Sequence, residues 1–277
     1  MVQIITDSSV LYGVKEAQEL GFEAVPLCVT IGDLEGRDLQ VDMDDFYKRI
    51  DSGQLPMSSQ PPIGDVVDVF EKYSDAEIIN ISMADGLSGT YQSACSAREM
   101  VENKDRIKVF NSKTLCGPHR YMVEKAQKMK EAGHTAAEIM DWLEKAAEKT
   151  ESFLIPQDFG FLRRGGRLTP VAATLGSVLK LKPVMTLTED CKKLDKFAVK
   201  RTMSAAVKTV IDHMKEKKVG LQHILYISHA NALEDALKIK ATMEQVFEGM
   251  EIHMLELSPV FVTQGGPKCI AIQYIER

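Results

Sequence analysis

Over its first half the chain alternates short apolar runs with amphipathic stretches, and this rhythm limits the folds open to it more than any other feature. The pattern predicts strands over 2–5, 24–29, 78–81 and 107–110. Between and after them it predicts helices over 14–20, 44–50, 63–73, 88–101, 120–131 and 136–149, with a turn over 32–36. A strand that returns through a helix to a neighbouring strand lies parallel to it, so this half reads as a doubly wound, mostly parallel sheet. The second half has a different rhythm. Runs over 184–188 and 192–200, separated by Glu189-Asp190, read as a β-hairpin. Helices over 204–217 and 233–247 and strands over 224–227, 252–257 and 269–274 follow. The expected architecture is α/β with two lobes: an N-terminal doubly wound domain over 1–151, and a C-terminal α/β domain over 152–277 with a mixed or antiparallel sheet. The boundary is placed near Glu151, where a strand over 153–155 leads into a loop over 158–170.

Composition narrows the function classes. With 277 residues, 44% hydrophobic and 27% charged, the chain is long enough for two ordinary domains with real cores. Lys+Arg number 34 against Asp+Glu 40, a net charge of -6, which argues against a nucleic-acid partner. The first residues lack the basic and apolar regions of a secretory signal, and no apolar run nears the roughly 18 residues that cross a bilayer. A cytoplasmic protein without a transmembrane segment is expected. Cys28, Cys95, Cys116, Cys191 and Cys269 are scattered, with no C-x-x-C pair and no histidine at ligand spacing, so neither disulfide nor metal is expected.

Three segments carry residues suited to chemistry. Ser58-Ser59-Gln60-Pro61-Pro62 precedes a predicted helix, and serines ahead of proline are a helix-start signal, so a plain N-cap explains them as well as a binding role does. Asp85-Gly86-Leu87-Ser88-Gly89-Thr90-Tyr91 follows a predicted strand and opens a helix. Loops at the carboxyl ends of parallel strands are where ligands bind, and glycines there let backbone N–H groups approach an anion. This loop lacks the Gly-Lys-Ser/Thr ending of a phosphate loop. It also misses the nucleophile elbow G-x-S-x-G, because Thr90 stands where the second glycine belongs. The third segment, Phe161 to Pro170, places Arg163, Arg164 and Arg167 around Gly165-Gly166. Such arginines suit a carboxylate or phosphate, and equally a solvated basic turn.

These stretches together resemble the DegV family of fatty-acid-binding proteins. The resemblance runs along nearly the whole chain, through Ile5-Thr6-Asp7-Ser8-Ser9, Ser58-Ser59-Gln60-Pro61, Gly86 to Ala94, Leu162 to Leu168, Leu181-Lys182-Pro183, Ser228-His229-Ala230 and Gly266-Pro267. It implies two α/β lobes that bury a long-chain fatty acid such as palmitate, stearate or oleate, in a tunnel of the second domain. It implies a head group held by Ser58, with Ser59 beside it, and by Ser88 between Gly86 and Gly89. Arg167 and Gln264 are expected near the carboxylate, and Arg163 and Arg164 to face a partner. That partner would be a separate fatty acid kinase, which makes an acyl phosphate for phospholipid synthesis. The chain itself would be a monomeric carrier with no cofactor and no catalytic residue.

Two positions depart from the family pattern. Gln264-Gly265-Gly266-Pro267-Lys268 stands where the family often has His-Thr-Gly-Pro-Gly. Gln264 still donates and accepts hydrogen bonds but cannot titrate near neutrality, so binding is expected to survive while any imidazole role is lost. Asn111-Ser112 replaces the usual Asp-Ser. Two other classes stay open on the residues alone. One is a serine hydrolase of acyl esters using Ser88 and His229. The other is a binder of a phosphorylated small molecule using the glycine-rich loop and the arginines.

Overall fold

A computed structural model describes residues 2–177 and 181–277, and the chain divides into two compact units, Met1–Glu148 and Lys149–Arg277.

In the first unit the chain runs β1 (Val2–Asp7), α1 (Val14–Glu19), β2 (Glu23–Val25), β3 (Cys28–Ile31), β4 (Leu34–Arg37), α2 (Met43–Asp51), β5 (Met57–Ser59) and α3 (Ile63–Lys72). It continues through β6 (Glu77–Ser82), α4 (Thr90–Met100), β7 (Ile107–Asn111), α5 (Cys116–Glu131) and α6 (Ala136–Ala147). Four strands form a fully parallel sheet in the order β2-β1-β6-β7. Its central strands are buried along almost their whole length because helices cover both faces. Ile5 and Ile78 pack with Val66 and Phe70 of α3 and with Ala94 and Ala97 of α4, while α5 lies on β1 and α6 on β6. The chain leaves β1 toward β2 on one side and leaves β6 toward β7 on the other. The loops after β1 and β6 therefore diverge at a topological switch point, where doubly wound sheets bind ligands.

The apolar run over 24–29, expected as one strand, is two. Pro26 has no N–H for a ladder, and the chain breaks there. β2 joins the parallel sheet, whereas β3 pairs antiparallel with β4 and with β5 in a separate three-stranded sheet. The expected turn over 32–36 is confined to Gly32-Asp33, with Gly32 at φ 58, and β4 follows at once. β5 is a second correction: Ser58 and Ser59 lie on a strand, and the helix-start reading fails because α3 is entered from Pro62 without a side-chain cap.

In the second unit β8 (Thr150–Ile155), α7 (Phe159–Gly165), α8 (Pro170–Ala173), β9 (Lys182–Leu187) and β10 (Leu194–Lys200) come first. Then come α9 (Met203–Glu216), β11 (His223–His229), α10 (Leu233–Val246), β12 (Glu251–Glu256), α11 (Pro259–Gly265) and β13 (Ile270–Glu276). The sheet is mixed, in the order β10-β9-β8-β13-β11-β12, with only β11 and β12 parallel. α9 and α10 turn Val207, Val210, Met214, Ala236, Ile239 and Met243 toward Phe153, Leu225, Ile227 and Ile272 of the sheet. The segment over 158–170 is not a loop. Asp158 caps α7 by accepting from the Gly160 amide at 2.7 Å, and Gly166 ends it at φ 71, the left-handed residue that closes helices. α11 is an element the pattern does not reveal, since Pro259 to Thr263 are all buried and leave no polar face to mark a period. Among the described residues no helix is long and apolar enough to cross a membrane.

Candidate functional site

The switch point of the first unit is built from polar side chains at the carboxyl ends of β1 and β6. Asp7 accepts from the Ser9 amide and, with its other oxygen, from the Met83 amide, both at 2.9 Å. One carboxylate thus fixes the exits of both strands. The loop that follows is anchored residue by residue. The Ala84 amide donates to the Thr114 carbonyl at 2.9 Å and the Asp85 amide to Asn111 Oδ1 at 3.3 Å. Asn111 Oδ1 also takes the Lys113 amide at 3.0 Å. That role needs only an acceptor oxygen, which the Asn111 carboxamide supplies without a charge.

Ser88 sits at the end of this loop, half-buried, just before α4. Its Oγ lies 2.8 Å from Thr90 Oγ1 and takes the Thr90 amide at 3.3 Å. Gly89 follows, and the carboxamide of Gln60 occupies the place where a β-carbon on residue 89 would stand. Gln60 directly follows β5, whose Ser58 is half-buried opposite Val29 and whose Ser59 is exposed opposite Cys28. Gln60 thereby links the end of β5, which carries Ser58 and Ser59, to the loop that carries Gly86, Ser88 and Gly89. Gln60 lay inside a motif already singled out, but only the glycine contact shows what it does. Asp7 and Thr90 likewise lie inside such motifs and take their roles only from the contacts, whereas His119, entirely buried at 0% exposure, lies in none.

The remaining candidates belong to the second unit and meet around Gly165. The Gln264 carboxamide fills the space a β-carbon on Gly165 would need, and Arg167 Nη1 donates to the Gly165 carbonyl. One turn earlier, Phe161 packs so closely on Gly266 that an added β-carbon would lie 3.0 Å from its ring. α7 and α11 thus pack through glycines, which sets Gln264 beside Arg167. The Arg167 backbone is tied to β10, its carbonyl accepting from Leu194 at 2.8 Å. Arg163 and Arg164 are exposed, and the Arg164 guanidinium lies over the Phe161 ring at 4.6 Å. No cluster of metal-ligating side chains occurs among the described residues.

The hydrolase geometry fails on local grounds. The Ser88 hydroxyl is engaged with Thr90, and Ser88 has no positive φ, unlike the strained serine of an elbow. His229 is buried, with its Nδ1 accepting from the Ala232 amide at 3.4 Å at the entry to α10. Burial holds its pKa below the usual histidine value, against the pull of Glu256.

The family model described as DegV family, uncharacterised protein, matches residues 1–277. This chain belongs to the DegV family. A DegV domain-containing protein of Halalkalibacterium halodurans is 30% identical, the match covering 100% of this chain and 99% of the relative. Among solved DegV structures, DegV from Bacillus subtilis, described as a fatty acid binding protein, superposes with a TM-score of 0.88 at 27% identity, covering 100% of this chain and 99% of that one. A DegV family protein from Eubacterium eligens loaded with heptadecanoic acid has a TM-score of 0.86 at 22% identity, over 100% of both chains, which shows the shared fold.

Proposed function

We propose that this chain is a carrier of one long-chain fatty acid, with Ser58, Ser59 and Ser88 supplying hydroxyls to the carboxylate. The observation that carries the reading is the whole-chain likeness to the fatty acid binding DegV of Bacillus subtilis. It is supported by the contact of Gln60 with Gly89, which links the end of β5 to the Ser88 loop. In the second unit Arg167 and Gln264 offer a cation and a neutral donor side by side at Gly165. Burying about fourteen methylenes gains on the order of 11 kcal/mol before the losses of immobilisation, so the tail supplies affinity. The hydroxyls serve orientation, because a buried carboxylate without partners is costly.

The finer reading is that the bound acid is presented to a separate fatty acid kinase in the cytoplasm, which phosphorylates the carboxylate, while the carrier does no chemistry of its own. Arg163 and Arg164, exposed in the last turn of α7, are suited to an acidic patch on such a partner.

Native and denaturing mass spectrometry of protein purified from bacteria test the first reading. A native excess of roughly 250 to 290 daltons, lost on denaturation and recovered as free fatty acid, is expected for a tail of that length. Protein that carries no lipid and takes up neither palmitate nor oleate would overturn it. For the second, R163E/R164E is expected to retain fatty acid and to lose kinase-dependent phosphorylation, and unchanged phosphorylation would remove those arginines from the kinase contact.

A further inference from the structure

His119 belongs to the first turn of α5, is 0% exposed, and was not reached by any sequence pattern. Both ring nitrogens are engaged. Nδ1 lies 2.8 Å from Ser9 Oγ, and Nε2 lies 3.1 Å from the Ile81 carbonyl and 3.2 Å from Thr6 Oγ1. Thr6 spends its own proton on the Ile81 carbonyl at 2.8 Å, so it faces the ring as an acceptor. Nε2 must then carry the hydrogen, and Nδ1 of the neutral ring accepts from Ser9. A single side chain on α5 therefore joins Thr6 and Ser9 at the exit of β1 to Ile81 at the exit of β6. Two residues further on, Met83 is held by Asp7, and the loop to Ser88 begins.

We infer that His119 is a positioning residue for the Ser88 loop, holding the ends of β1 and β6 in register where that loop departs. The binding consequence rests on the fatty acid reading, and the positioning itself does not. A protonated ring presents a donor at Nδ1 as well, so the Ser9 hydroxyl would have to turn away from it. Asp7 on β1 is the charged group that faces the ring, and Thr6, Ser9 and the Ile81 carbonyl are its neutral partners. Burial outweighs the attraction of Asp7 and keeps the imidazole from charging at its ordinary pH.

The test compares the full-length, delipidated wild type with H119N, S9A and, as a buried histidine elsewhere, H223N. Backbone hydrogen–deuterium exchange at one pH and the affinity for cis-parinaric acid between pH 7.5 and 5 are measured. In H119N, exchange over residues 81–90 is expected to rise about tenfold, the size of one lost net hydrogen bond. Exchange in α6 should stay unchanged, and affinity should fall by a similar factor with its acid limb flattened. S9A, which removes only the Nδ1 partner, is expected to shift the same segment less, and it carries the test should H119N not fold. H223N should leave both readouts at wild-type values. Wild-type exchange over 81–90 in H119N and S9A, or a rise spread evenly over the first unit, would overturn the inference. A selective rise in a protein whose wild type binds no cis-parinaric acid would sink the fatty acid reading and leave the positioning role standing.

Discussion

Gln60 packs its carboxamide into the space beside Gly89 that any other residue there would fill with its β-carbon. The backbone of Gly89, at φ -71, is open to alanine, so the demand for glycine at this position comes from the neighbour and not from the dihedral angle.

G89A is accordingly expected to displace Gln60 at small cost to the fold, about 1 kcal/mol, because a flexible side-chain end can move and alanine is a poor helix cap. Fatty acid affinity should fall more than stability does. Removing the obstruction in Q60A/G89A should not restore affinity if the carboxamide itself holds the two loops together. A thermal melt and a ligand titration on the two single variants and the double close the cycle.

S88A is expected to lower affinity about tenfold while leaving the melting temperature nearly unchanged. Among the described residues the hydroxyl bonds Thr90, two residues on, a local contact rather than a tie between distant elements. A lowered melting temperature with unaltered binding would return Ser88 to a purely local role.

Stability should fall as pH drops below about 6.5. His119, His223 and His229 are all held neutral, chiefly by burial, with pKa values below the ordinary histidine value. Their unfolded forms take up protons first, so the unfolded state gains as the solution is acidified, by up to about 1.4 kcal/mol per pH unit for each histidine. Above about 6.5 these groups are neutral in both states and contribute no slope. The carboxylates Glu23 and Glu251, held low by their partners, add their losses only nearer pH 4 to 5. Urea midpoints measured from pH 8 to 5 check the window, and a flat profile across 6.5 would contradict it.

All five cysteines are thiols outside any disulfide, and they should differ in reactivity. Cys269 is fully buried, its sulfur pressed against Gly265, and burial pushes its thiol up to about 12. Native protein is expected to leave Cys269 and the buried Cys116 unmodified by iodoacetamide while the half-buried Cys28, Cys95 and Cys191 react in time. Peptide mapping after a short pulse decides this.

What the sequence made legible follows the range of the forces involved. β1, β6, α3 and α9 declare themselves because apolar spacing within the element dictates which face is buried. The hydroxyl loops were found for the same reason, since Gly86 to Thr90 lies between a clear strand and a clear helix. Pro26 signalled a break that the apolar run around it concealed, and α11 was hidden by being apolar throughout. The contacts that organise the site were out of reach altogether. His119 meets Thr6 across 113 residues and Gln264 meets Gly165 across the second unit, and neither pairing leaves a local trace.

The placement of β13 bears on how the second unit comes into being. It lies between β8 and β11, pairing Ile270 with Ile155 and with His229, so the middle of the sheet is filled by its last strand in chain order. A nascent chain that has emerged only as far as Lys268 holds β8 with its hairpin partners and β11 with β12, as two half-sheets with facing unpaired edges. Such edges invite association with other chains. The interval between the emergence of β12 and that of β13 is therefore when this unit most needs a chaperone, and a stalled or truncated product ending there should aggregate where the longer chain does not.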